Sequence, residues 1–99
     1  MATLHLLSHS PFGDSRFASC LALLGRNDAL LLTGDAVHAL RAGSTPWESV
    51  QQLPGEIAVF ALDEDLAARE IEPPTRVHPV DYPGFVELCC RYEKVNSWL

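Results

Sequence analysis

Three cysteines, Cys20, Cys89 and Cys90, are the side chains of this sequence that could act as nucleophiles. A cysteine that accepts or passes on sulfur reacts as the thiolate, so a nearby cation or a helix N-terminus must lower its pKa. Cys20 lies in the middle of a predicted helix, on its apolar face, and Arg16 is the cation one turn before it. A buried structural thiol is the favoured interpretation of Cys20, and a persulfide or redox site is the alternative.

The two cysteines near the end of the chain form no metal or redox motif. Cys89 and Cys90 are adjacent in a predicted helix, where successive side chains point about 100° apart. Cys89 shares the apolar face of that helix, whereas Cys90 points outward beside Arg91. Because no C-x-x-C spacing is present, the sequence predicts neither a zinc site nor a thioredoxin-like site.

The histidines do not complete an active site. His5 and His9 are four residues apart but span a strand and a loop, and His78 stands alone, so ordinary histidines are favoured over a metal site. His38 follows a turn at the carboxyl end of a predicted strand, which is where α/β sheets bind ligands. No phosphate-binding or serine-nucleophile motif accompanies it. The sequence therefore predicts no metal, no cofactor and no catalytic set.

Length and charge narrow the class of protein further. A chain of 99 residues predicts one small domain, 1–99, and a hydrophobic fraction of 47% is typical of a globular chain. Thirteen acidic residues against seven Lys and Arg give a net charge of -6, which disfavours direct binding to nucleic acids and to anionic membranes. The sequence shows neither a signal peptide nor an apolar run long enough to span a bilayer. Three cysteines in no framework spacing predict a cytoplasmic location.

The segment 56–70 is predicted to be the centre of the fold. Residues 57–62 form an unbroken apolar run, which is typical of a strand that is buried on both faces. Asp63 follows at the predicted N-cap of a helix, where its replacement by alanine would cost about 1 kcal/mol. Asp65 and Arg69 have the spacing of a helical ion pair. A buried strand that leads into a helix is the unit of a parallel α/β sheet.

Similar patterns predict the other elements, in the order β-α-β-α-(α)-β-α-β-α-β. Gly25 is expected to end the first helix in a left-handed conformation, Thr45 to cap the third helical segment and Asp81 to cap the last helix. The predicted strands are 2–7, 29–32, 57–62, 77–80 and 95–99. The predicted helices are one that Asp14 or Ser15 caps and that runs to Leu24, then 36–42, 45–53 and the segments after Asp63 and Asp81. Short connections make the fold class α/β, with one mostly parallel sheet of about five strands and helices on both faces.

The two tryptophans are large apolar groups in polar surroundings. Trp47 is expected to pack against the sheet, and Trp98 is expected either to cap the domain or to enter a partner. A small domain with an aromatic residue near its end and no catalytic set is more typical of a subunit than of an enzyme.

Five stretches of the sequence resemble the TusB/DsrH family of sulfur-relay proteins, which belongs to the DsrE-like superfamily. The stretches span nearly the whole chain in the order that the family has them. They are 4–12, 30–32 with 34–37, 59–66 with 68–69, 80–82 with 85–86, and 97–98. The resemblance implies a DsrE-like, Rossmann-like fold.

The same resemblance implies a non-catalytic subunit that joins TusC-like and TusD-like sisters in a heterohexamer. In that relay a persulfide passes from a TusA-like carrier to a cysteine of the TusD-like sister. A TusE-like carrier then takes the sulfur on towards thiolation of the wobble uridine of certain tRNAs. No catalytic residue carries over to this chain. The alternative is a DsrH-like sulfur carrier in a DsrEFH-type sulfur-oxidation complex, with Cys20 as its sulfur-handling residue.

Overall fold

Five strands form one parallel sheet in the structure, a computed structural model that describes residues 2–98. The strands are β1 (Thr3–Leu7), β2 (Ala29–Leu32), β3 (Ala58–Leu62), β4 (Val77–Val80) and β5 (Lys94–Trp98). Their order across the sheet is β4-β3-β2-β1-β5, and all four pairings are parallel. The predicted α/β fold class is confirmed.

The helices follow the predicted order, with one change of type. They are α1 (Arg16–Leu23), a 3₁₀ helix (Gly34–Leu40), α2 (Thr45–Gln51), α3 (Asp63–Ala68) and α4 (Tyr82–Arg91). The segment predicted as a helix over 36–42 is the 3₁₀ helix, which begins and ends two residues earlier. Within residues 2–98, no helix combines the length and the apolar character that crossing a membrane would require.

The direction of each crossover decides which face of the sheet a helix covers. The connections from β1 to β4 all step in one direction along the sheet, so right-handed crossovers place their helices on one face. The connection from β4 to β5 steps back across the sheet, so α4 lies on the opposite face. The two buried clusters agree: Cys20 and Leu66 belong to the first, and Leu88 of α4 belongs to the second. Helices on both faces, as predicted, are thus confirmed.

The burial of each strand depends on the helices that cover the two faces, several on one face and α4 alone on the other. β2 lies in the middle of the sheet, and all four of its residues are fully buried. In β3, Val59, Ala61 and Leu62 are buried, but Ala58 and Phe60 are only partly so. The prediction that residues 57–62 are covered on both faces therefore holds for one face, because α4 alone covers the other.

Two predicted N-caps are displaced by one residue. Asp63 is the first residue of α3 rather than its cap; Leu62 occupies the cap position, and no side chain caps this helix. Ser44, not Thr45, caps α2, and its Oγ accepts a hydrogen bond from the Trp47 amide at 3.2 Å. The prediction for Thr45 was wrong because Ser44 and Thr45 compete for one cap, and the backbone conformation decides between them. The prediction for Asp63 was wrong because α3 begins one residue earlier than expected, so that the apolar Leu62 stands at the cap position.

The ends of the first and last helices give a mixed result. Gly25 does not adopt a positive φ; Leu24 ends α1 in an extended conformation, and the Gly25 amide donates to Asp28 Oδ2 at 2.8 Å. Asp81 caps α4 as predicted, with its Oδ1 accepting from the Gly84 amide at 2.8 Å. The predicted terminal strand is observed as β5, and residue 99 lies outside the described residues.

The two aspartates at the beginnings of α3 and α4 are expected to differ in their contribution to stability. Asp81→Ala removes a capping hydrogen bond and should lower the free energy of unfolding by about 1 kcal/mol. Asp63→Ala is the matched control, because it removes only a charge from a first turn and should cost roughly 0.3 kcal/mol. Urea unfolding of both variants at pH 7 measures the difference. A loss from Asp63→Ala that equals or exceeds that from Asp81→Ala contradicts this assignment of the caps.

Candidate functional site

Cys20 lies on the buried side of α1, with none of its surface exposed. It packs in the main core cluster with Leu7 and Leu30 of the sheet. Burial, and secondly the negative charge of Asp28, raise the pKa of the Cys20 thiol to about 12. The cation one turn away does not offset this, because Arg16 pairs with Asp14. In this fold Cys20 is a neutral, inaccessible thiol, and its role as a sulfur carrier stays a prediction.

Cys89 and Cys90 occupy different environments, as their positions in the helix predicted. Cys89 is half-buried and packs in the cluster beneath α4. Burial, and secondly the neighbouring Cys90 thiol, raise the pKa of Cys89. Cys90 is exposed. Of the three thiols, Cys90 is therefore the most accessible to solvent and reagents.

A buried histidine joins three segments of the chain at the β1–β5 side of the sheet. His5 of β1 is 5% exposed, and its Nε2 lies 3.2 Å from Oδ2 of Asp28. On the other side of the ring, Trp98 Nε1 donates to His5 Nδ1 at 3.1 Å. Asp28 precedes β2, and Trp98 ends β5, so this group connects the middle of the sheet to its edge.

Asp28 is held as a buried carboxylate by several donors. Burial raises its pKa, but the Gly25 and Thr3 amides and the His5 ring together lower it below its ordinary value. The Thr3 amide donates to Asp28 Oδ1 at 3.0 Å, and the Gly25 amide donates to Oδ2 at 2.8 Å. These bonds connect the first residues of β1 to the turn before β2. Asp28 is thus an anchor of the fold at the amino ends of two strands.

The sequence did not identify this group. His5 was interpreted as one of four ordinary histidines, and nothing singled out Asp28. A signal was present, because His5 is a polar residue between two leucines in a predicted strand. Its partners lie 23 and 93 residues away along the chain, so only the strand order brings them together. Trp98 is partly buried and packs against the core cluster, and its entry into a partner stays a prediction.

A second polar group lies at the carboxyl ends of β2 and β3. The Gly34 amide donates to Asp65 Oδ2 at 2.8 Å, and Arg69 binds Asp35 at 3.0 Å and Asp65 at 3.6 Å. The predicted Asp65–Arg69 pair is therefore present and also reaches the 3₁₀ helix. His38, predicted near this strand end, lies 4.0 Å from Asp35. These contacts fasten α3 to the 3₁₀ helix.

Gly34, in the same region, adopts a backbone conformation that favours glycine. Its φ is +51°, and a Cβ at this position would lie 3.3 Å from the Ser8 carbonyl oxygen. Thr33 holds the same loop, since its Oγ1 donates to the Leu7 carbonyl at 3.0 Å. Among residues 2–98, no group of three or more His, Cys, Asp and Glu side chains is arranged to hold a metal ion.

Apolar side chains are exposed around α4, on the less covered face of the sheet. Tyr82 is 54% exposed and Val86 is 59% exposed. The Phe60 and His78 rings lie 5.7 Å apart, and the Tyr82 and Phe85 rings lie 6.3 Å apart. Phe60 and Phe85 are half-buried, and His78 is exposed. We call these five residues the α4-side patch, in which Tyr82 and Val86 are the exposed apolar groups. Exposed apolar groups of this kind are typical of surfaces that bind other proteins.

Comparison with known proteins gives consistent results. A family model described as "DsrH like protein" matches residues 9–95 of the chain. "Protein TusB" of Salmonella typhi is 38% identical over 97 residues, which cover 96% of this chain and 99% of that protein. "Protein TusB" of Salmonella dublin is 37% identical over the same length, with the same coverage.

Two solved structures share the fold at low sequence identity. The ychN protein of E. coli superposes with a TM-score of 0.78 at 18% identity, covering 98% of this chain and 99% of that one. A protein of unknown function from Methanobacterium thermoautotrophicum superposes with a TM-score of 0.72 at 15% identity, covering 96% of each chain. These two likenesses concern the fold alone.

The three thiols are expected to react with an aromatic disulfide reagent in the order of their exposure. In the native protein at pH 8, Cys90 should react first, and Cys20 should react only when the chain unfolds, because its thiol is buried and neutral. Release of the coloured thiol and mass spectrometry of labelled peptides measure the order. Cys90→Ser, the control, should remove the fast phase, and rapid labelling of native Cys20 would show that its burial is wrong.

Asp28→Asn is expected to lower the free energy of unfolding at pH 7. Since folding lowers the pKa of Asp28, its stabilising effect is complete above the unfolded-state value of about 3.9. The effect is lost as the pH falls through the folded-state value, so the difference between wild type and variant should shrink at acid pH. Urea unfolding at pH 7 and at about pH 3 measures it. Asp63→Asn, an exposed control, should show a smaller loss at pH 7; a loss from Asp28→Asn that is equal at both pH values contradicts the proposed anchor.

Proposed function

Because this chain belongs to the DsrH-like protein family, we propose that it is a non-catalytic subunit of a sulfur-relay complex of the TusBCD type. The observation that carries the proposal is the match to TusB proteins over nearly the full length of both chains. Likeness over the whole length favours the same kind of role more strongly than a shared motif would.

The side chains of this chain support a structural rather than a catalytic role. A cysteine that carries persulfide must be reachable and partly ionised. Cys20 is fully buried with its pKa raised to about 12, and Cys89 is half-buried with its pKa raised. Cys90 is exposed on a helix with Arg91 paired to Glu87 rather than to the thiol. These environments support the proposal that the sulfur-carrying cysteine belongs to a sister subunit.

The proposed partners are TusC-like and TusD-like sisters, in a heterohexamer of which residues 1–99 form one domain. Sulfur would enter from a TusA-like carrier, rest on the TusD-like cysteine and leave through a TusE-like carrier, all in the cytoplasm. The relay would end in 2-thiolation of the tRNA wobble uridine. The net charge of -6 supports an indirect role at the tRNA, because this surface does not attract phosphates. The exposed apolar groups of the α4-side patch support an assembled state.

Assembly is tested by co-expressing this chain with TusC-like and TusD-like proteins encoded in the same genome. Native mass spectrometry of the purified material should give a complex that contains two copies of each chain. The two sisters expressed together without this chain are the control and should not give that mass. A chain that stays monomeric beside both sisters rejects the proposal.

The non-catalytic role is tested by substituting cysteines in the reconstituted complex. Cys20→Ala, which keeps the site apolar, and Cys90→Ser should leave the rate of sulfur transfer to a TusE-like acceptor within about twofold of wild type. Substitution of the TusD-like cysteine should abolish transfer. Loss of transfer with Cys20→Ala in an intact complex would instead establish the DsrH-like carrier. Mass spectrometry of the persulfide adduct locates the sulfur in each case.

A further inference from the structure

The protonation state of His5 follows from its two hydrogen-bond partners. The Trp98 indole N–H is a donor and cannot accept, so the His5 Nδ1 that it contacts at 3.1 Å must carry a lone pair. The proton of the neutral ring is then on Nε2, which donates to the Asp28 carboxylate at 3.2 Å. His5 is thus held as one defined neutral tautomer between a donor and an acceptor.

The charged and titratable groups around this ring come from three elements. Asp28 reaches it from the turn before β2, and Lys94 of β5 lines the same surface depression as His5 and Asp28. From α1, the Cys20 thiol lies within electrostatic range of Asp28. The carboxylate favours a positive ring, the Lys94 ammonium opposes it, and the thiol is neutral. The group most directly coupled to the His5 ring is Asp28, which stays ionised through the range in which a histidine titrates.

We propose that His5, Asp28 and Trp98 form a proton-sensitive clasp that holds the end of β5 against β1 when His5 is neutral and releases the Trp98 ring when His5 takes up a proton. The proton comes from solvent and binds Nδ1. Two N–H groups then face each other across the 3.1 Å gap, and the bond from Trp98 is lost. The bond to Asp28 persists as an ion pair, so β1 stays fastened to the turn before β2.

Because β5 is at the edge of the sheet, the contact at Trp98 helps to hold its end in place. β5 is an edge strand whose neighbour is β1, and its first four residues are exposed. Trp98 is the residue of β5 that packs against the core cluster, opposite Leu7 in the register. Loss of this hydrogen bond therefore loosens Trp98, the side chain that holds the end of β5 against the core. Release would expose an indole ring and part of the β1 edge.

The clasp is tested by following the Trp98 ring as the pH changes. In the Trp47→Phe variant, Trp98 is the one tryptophan of the chain, so its fluorescence and acrylamide quenching report on it alone. Between about pH 8 and pH 5, where histidines titrate, quenching should rise in a single one-proton transition. His5→Gln in the same background should abolish that transition. His78→Gln is the matched control, since His78 lies on the opposite face beside Phe60, and it should keep the transition.

Histidine ring NMR gives a second measurement that needs no substitution at His5. At about pH 8 the nitrogen shifts should show the Nε2–H tautomer, and the Trp98 indole proton should exchange slowly with solvent. Over the pH range in which the nitrogen shifts of His5 report uptake of a proton, that indole proton should exchange faster. An Nδ1–H tautomer, an indole exchange rate that does not follow His5, or a fluorescence transition that persists in His5→Gln would overturn the clasp.

Discussion

In a parallel sheet every connection must cross a face of the sheet, and this constraint decides how the present molecule is covered. Three connections step the same way from β1 to β4 and place α1, the 3₁₀ helix, α2 and α3 on one face. One connection steps back and places α4 alone on the other. The first face is sealed around Cys20, whereas the second leaves the α4-side patch open. Thus the same rule of handedness produces both the inert thiol and the apolar surface.

Within that frame, one buried carboxylate organises the amino ends of the strands. Asp28 accepts from Thr3, Gly25 and His5, and it would be costly to bury without them. Through His5 its influence reaches Trp98, at the far end of the chain. The group does not resemble a catalytic site, since its partners satisfy each other and the neighbouring thiol is neutral. The group holds the end of β5 in position, which agrees with the structural role proposed for this chain.

Much of the fold could be predicted from the sequence because no polar residue interrupts the apolar runs of the central strands. ALLL at 29–32 and the run within 57–62 mark the two central strands, and Asp81 marks the start of α4. The cap predicted at Thr45 lies at Ser44, because propensity does not choose between adjacent polar residues. The cap predicted at Asp63 is not observed, because Leu62 takes the cap position and Asp63 lies in the first turn of α3. The His5–Asp28–Trp98 group could not be predicted, since its members meet only after β5 pairs with β1. Local patterns carry no information about that pairing, whose register comes from tertiary packing.

The pairing of β5 with β1 also has a consequence for synthesis on the ribosome. β1 is made first, and one of its edges finds its partner only when residues 94–98 have been made. Until then the nascent chain carries an apolar strand with a free edge, LHLL, which is a template for pairing with other chains. Long-range parallel pairing is also slow to form. Deletion of residues 94–98 would therefore be expected to cause aggregation of newly made chains.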